Sequence, residues 1–178
     1  MTLINSNYVF IDTIITHKNL YEKILPLKKE SVKKILIIAS QTTVINNYFE
    51  NAEIDYIDVL GRVPLHLVNK NTKIYNDNNN GSTFENLVND IFDKNTKYDI
   101  ILDDGIHTEN TIEFYMTYYT KWLTNNGIII IEDACDWIQQ LTSNTPDELK
   151  PFIEIYNVLD NKNNLDDTVF IINKNNLN

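Results

Sequence analysis

Cysteine is almost absent from this chain, a single residue (Cys135) in 178. That excludes an internal disulfide and a cysteine-rich zinc site. Glycine is scarce too, with four residues, and no glycine-rich loop able to cradle a phosphate is present. Positive charge is in the minority, 15 Lys and Arg against 25 Asp and Glu, for a net charge of −10. Affinity for nucleic acid arises from counterion release along a basic stripe. Here only Lys28-Lys29 and Lys33-Lys34 concentrate basic residues, so nucleic acid is not expected as the main partner. No apolar run approaches the ~20 residues that span a bilayer, and the first residues lack the pattern of a signal peptide. The expectation is a soluble cytoplasmic protein (host cytoplasm or virion if viral) with no membrane partner.

What is there is ordinary for a globular protein: 43% apolar and 22% charged residues. A chain of 178 residues fits one domain with a proper core, so residues 1–178 are read as a single domain. Asn and Ile are abundant, which is the codon bias of an AT-rich genome, bacterial or viral, and says nothing about chemistry.

Short runs of Ile, Leu, Val and Tyr predict strands at residues 34–39, 54–59, 72–76, 98–103, 127–132, 152–159 and 168–173. Most are continuous apolar runs and not alternating ones, as expected for strands covered on both faces. Helices are expected at 20–29, at 83–93 and, most clearly, at 109–124. There Thr108 is placed to cap, Ile112, Tyr115, Tyr119 and Leu123 form one stripe, and Asn125-Asn126-Gly127 supplies a stop. Strand, helix and strand within about 35 residues make a right-handed βαβ unit. Only residues 160–167 separate the last two strands, too few for a helical crossover, so they are expected to be antiparallel. The fold class is α/β: a Rossmann-like, seven-stranded, mostly parallel sheet with a C-terminal antiparallel hairpin and helices on both faces.

In an open parallel sheet, ligands bind beyond the carboxyl ends of the strands. After the first strand come Ala39, Ser40, Gln41, Thr42 and Thr43; the second ends at Asp58 and the third is followed by Asp77. Asp58 sits where such folds place an acid on a ribose hydroxyl pair, although Asp58 and Asp77 also read as turn residues. The fourth strand runs into Asp103-Asp104-Gly105-Ile106-His107 and the fifth into Glu132-Asp133. Adjacent strands lie ~4.8 Å apart, so these acids converge if the two strands are neighbours. Crowded carboxylates repel unless one is protonated or a cation is bound. Oxygen ligands without cysteine favour Mg²⁺, Mn²⁺ or Ca²⁺. The competing reading is that the acids cap the helices that follow. Strand alternation sends either Asp103 or Asp104 away from the site. His107, at its mouth, could serve as a general base or be a solvated loop residue. His17 and His66 have no comparable company. Asp136 and Trp137 could line a pocket or begin a helix.

The stretches 48–59, 98–107 and 127–133, and above all the pair Asp103-Asp104-Gly105-Ile106-His107 and Ile131-Glu132-Asp133, resemble class I S-adenosylmethionine-dependent methyltransferases. The closest likeness is to metal-dependent sugar O-methyltransferases of the macrolide-tailoring and cephalosporin-hydroxylase type, over roughly residues 34–137. The resemblance implies a cofactor site made by Ala39, Ser40, Asp58 (ribose), Asp77 (adenine side) and Asp103. It implies Mg²⁺ (or Mn²⁺) on Asp104, Glu132 and Asp133, with His107 and Asp104 as catalytic residues. The implied activity is metal-assisted methylation of a sugar or other small hydroxylated acceptor. One departure stands out. The family's first strand ends in an acid and a glycine-rich turn, whereas residues 37–43 read Ile-Ile-Ala-Ser-Gln-Thr-Thr. Each missing glycine puts a side chain where backbone should approach the cofactor. The alternative is therefore a catalytically inactive methyltransferase-like domain that serves as a binding or assembly subunit. A homo-oligomer or a protein partner stays open. A metal-dependent phosphoryl-transfer or nuclease-like domain could use the same acids, but the acidic charge and the absent phosphate loop weigh against it.

Overall fold

The computed structural model describes residues 31–39, 49, 51–58, 70–76, 95–105, 107–157 and 168–174. Within them lie β1 (Lys34–Ala39), β2 (Glu53–Asp58), β3 (Thr72–Asn76), β4 (Tyr98–Asp104), α1 (Glu109–Trp122), β5 (Leu123–Ile131), α2 (Ile138–Asn144), β6 (Ile153–Asn157) and β7 (Thr168–Asn173). They form one seven-stranded sheet in the order β3-β2-β1-β4-β5-β7-β6. The pairs from β3 to β5 are parallel, and β7 runs antiparallel to both β5 and β6. The expected sheet and terminal hairpin are thus present. The helices expected at 20–29 and 83–93 lie outside the described residues. None of the described helices is long and apolar enough to cross a membrane.

Both faces of the central strands are buried, which is why their sequences do not alternate. Ile35, Ile37, Ile54, Tyr56, Ile100, Leu102, Ile128 and Ile130 fill one side. Leu36, Ile38, Ile57, Ile101, Ile129 and Ile131 fill the other, together with Ile112, Tyr115, Met116, Tyr119 and Trp122 of α1 and Leu141 of α2. Polar pins hold the amino-terminal part of the sheet. Buried Asp55 accepts a 2.8 Å hydrogen bond from the Tyr98 hydroxyl and pairs with Lys34 at 3.2 Å. Asp99 accepts from the main-chain N–H of Lys33 at 2.7 Å.

Helix α1 begins as expected. Thr108 and Thr111 exchange side-chain to main-chain hydrogen bonds in a capping box, with Glu109 in the first turn. Its end differs from expectation. The helix stops at Trp122, and Leu123 is already extended and paired with Tyr98, ahead of the Asn-Asn-Gly stop. Burial of Leu123 against the helix-side core sets this early exit. A Cβ on Gly127 would stand 2.4 Å from Leu123 Cδ1, so glycine is what lets the returning strand pass over that side chain.

Candidate functional site

Register across the carboxyl edge aligns four residues. Asn76 pairs with Asp58, Asp58 with Ala39, and Ala39 with Asp104. Asp103 pairs with Ile131, which sets Glu132 beside Asp104. Side chains of paired residues in a parallel sheet leave on the same side. Asp58, Asp104 and Glu132 therefore share one face, with Asp58 and Asp104 on either side of β1 and two strand spacings apart, about 10 Å. All three are buried. Tyr56, two residues before Asp58 on the same face, forms the floor. Its hydroxyl is pushed up by burial and by the charges of Asp58 and Asp104.

Asp104 feels the crowding most. Burial, then the carboxylates of Glu132, Asp133 and Asp103, push it up to about 7, against a smaller opposing pull from His107. Such a group stores repulsion that a proton or a cation relieves. An all-oxygen donor set suits a hard divalent ion. Even so, among the described residues no three His, Cys, Asp or Glu side chains stand close enough together to hold a metal ion.

Asp103, expected beside the cofactor, lies on the opposite face, because alternation along β4 turns it toward α1. It is wholly buried. Its Oδ1 accepts from the main-chain N–H of Gly105 at 3.0 Å and faces His107 Nε2 at 3.4 Å; its Oδ2 accepts from the Tyr119 hydroxyl at 2.9 Å. These bonds turn the carboxylate inward, to Tyr119 of α1 and to the loop that follows β4. The His107 side chain is only 5% exposed and sits edge-on to Tyr115, which stacks on Tyr119. Burial pulls its imidazole down. The hydrogen bond and charge of Asp103, with the main chain and carboxylate of Asp133, outweigh that and leave it above its ordinary value.

Ala39 is the last residue of β1, whereas Ser40, Gln41, Asp77, His17 and His66 lie outside the described residues. Asp136 and Trp137 belong to a short 3₁₀ turn before α2, Asp136 exposed and Trp137 packed on the helix-side core. Tyr56, Tyr115 and Tyr119 support the site and were not singled out for it from sequence. In sequence Tyr119 belongs to the apolar stripe of α1, and nothing local signals that its hydroxyl reaches a strand end 16 residues away.

No family model and no curated protein matches the sequence. Solved structures do match. MycE methyltransferase from the mycinamycin biosynthetic pathway, in complex with Mg, SAH and mycinamycin VI, superposes with a TM-score of 0.59 at 12% identity, over 88% of this chain and 48% of that one. The fold is that of class I S-adenosylmethionine-dependent methyltransferases. Human methyltransferase-like protein 13 in complex with SAH gives 0.58 at 10% identity, over 91% and 80%. Fibrillarin from Aeropyrum pernix, with bound S-adenosyl-L-methionine, gives 0.56 at 11%, over 89% and 73%. The chain spans about half the length of MycE.

Proposed function

We propose that this domain binds S-adenosylmethionine and transfers its methyl group to an oxygen of a small hydroxylated acceptor such as a sugar. The observation that carries the reading is the row of buried carboxylates on one face of the carboxyl edge, Asp58 and Asp104 flanking β1 with Glu132 beside them. The cofactor supplies a sulfonium methyl, and Mg²⁺ (or Mn²⁺) would lower the pKa of an acceptor hydroxyl. In this reading Asp58 accepts hydrogen bonds from the ribose hydroxyls. Asp104, Glu132 and Asp133 are the oxygen donors that would have to draw together for a metal to be held there, and such an ion would supply a Lewis acid at the acceptor oxygen. Burial of these acids keeps water from competing, and holding both reactants in line contributes most of the acceleration. Support comes from the fold shared with enzymes solved with SAH and, for MycE, with Mg.

The test is calorimetric titration of the protein with S-adenosylhomocysteine, with and without Mg²⁺. Micromolar binding is expected, tightened by Mg²⁺. Absence of binding in both conditions would sink the reading and leave a role in binding or assembly.

A further inference from the structure

We infer that β6 is a self-pairing edge, through which two copies of this chain join antiparallel strands about a two-fold axis at Ile155. Among the described residues β6 pairs only with β7, so it ends the sheet on one side as β3 does on the other. An edge strand presents a row of main-chain donors and acceptors, and proteins blunt it with lysine, proline or a bulge. β3 carries such a guard in the exposed Lys73. β6 has none of the three: its register with β7 is unbroken from Ile153 to Asn157, and the strand holds neither lysine nor proline. In the place of a guard stands Ile155, 47% exposed and the single exposed large hydrophobic side chain among the described residues.

An isolated apolar side chain is commonplace on a protein surface. Here it lies on the outermost strand, on the same face as Ile153, which packs with Phe152 against the helix-side core. What selects a second copy as the occupant is charge. Each copy carries a net charge of −10, so two copies pair only where acids avoid acids. With the axis at Ile155, that residue meets its own counterpart, and Glu154 falls opposite the partner subunit's Tyr156. Within one chain the Glu154 carboxylate accepts from the Tyr156 hydroxyl, so the same donor and acceptor meet again across the axis. The strand's one acid never faces itself, and two isoleucines leave water together. A second copy brings both the matching edge and the donor.

Light scattering and sedimentation equilibrium on the full chain test the pairing, and neither depends on cofactor binding. At high micromolar concentration a mass twice the 20.8 kDa of one chain is expected. Added salt should tighten the association, because it screens the repulsion between two acidic copies. Ile155→Lys sets two cations against each other on the axis and should hold the protein monomeric. Its melting temperature at low concentration should match wild type, since the side chain is exposed. Amide exchange over residues 153–157 should slow as the wild-type concentration rises, and should not do so in Ile155→Lys. The inference is overturned by a wild-type chain that stays monomeric, assembles beyond two copies or dissociates with salt. Pairing that survives Ile155→Lys, or exchange indifferent to concentration, overturns it equally. If Ile155→Lys does not fold, Ile155→Thr decides: it keeps the β-branched shape with less apolar surface and should weaken association about tenfold, an unweakened dimer overturning the inference.

Discussion

Asp104 keeps its proton to about 7 in the folded chain, against an ordinary value of 3.8. Between those values the folded state binds more protons than the unfolded one, so stability falls as pH rises through that window. At about 1.4 kcal/mol per pH unit, the loss is on the order of a few kcal/mol. The raised His107 acts with the same sign: its contribution is full below its ordinary value of 6.5 and is lost as pH climbs through its higher folded value. Asp104→Asn should therefore flatten the fall in melting temperature between about pH 4 and about pH 7 and raise it above that window. An unaltered slope would mean that the crowding of charge is not felt. Tyr119→Phe tests the neighbouring network. It keeps the ring that stacks on Tyr115 and strips the donor from a buried carboxylate oxygen. The expected cost is about 1–3 kcal/mol by urea denaturation.

At the scale of elements, the junction between α1 and β5 is the least conventional part of the described fold. The helix passes directly into an extended Leu123, the strand bulges before Ile128 resumes pairing with Ile100, and Gly127 and Leu123 divide the space inside that bulge. Gly127→Ala should destabilise the protein by about 1–3 kcal/mol through overpacking. Leu123→Ala alone should destabilise by about 2–5 kcal/mol, since a buried side chain is removed. The double substitution should cost less than the two added together, because the smaller residue vacates the space the new methyl needs. Strict additivity in a double-mutant cycle would show that the contact is not limiting. This junction also marks what periodicity could and could not reveal. The start of α1 was legible from Thr108 and Glu109, whose roles are local. Its end was not, because the exit at Leu123 answers to Tyr98 on another strand.

For the whole molecule, the same division holds. Continuous apolar runs showed that the sheet is covered on both sides, and the short gap expected at residues 160–167 showed that the last two strands return on each other. The acids after the fourth and fifth strands were legible as a group, since topology alone brings neighbouring strand ends together. Which of Asp103 and Asp104 faces the site was not legible, because that depends on register, and register belongs to pairs of strands. Nor was the burial of His107, which depends on Asp103 turning toward α1 and on Tyr115 of that helix lying beside the ring.

The twin aspartates have a meaning for folding as well. Along β4, Ile100, Ile101 and Leu102 are interchangeable in chemistry, and both faces beside them are apolar. A strand of that kind sliding by one residue would lose little hydrophobic burial, so its core carries almost no information about alignment. The information sits at its ends: Tyr98 and Asp99 pin the start to Asp55 and to Lys33, and the twin aspartates pin the tip. A slide by one residue would bring either Leu102 or Asp104 to the Tyr119 hydroxyl, stripping Asp103 of its donor or moving Asp104 off the acidic edge. The residues that make the edge chemically useful are thus also the ones that tell the central strand where to stop. Neutralising both should yield a protein that is still compact and still pinned at Tyr98 and Asp99, but loosened in alignment toward the tip of β4.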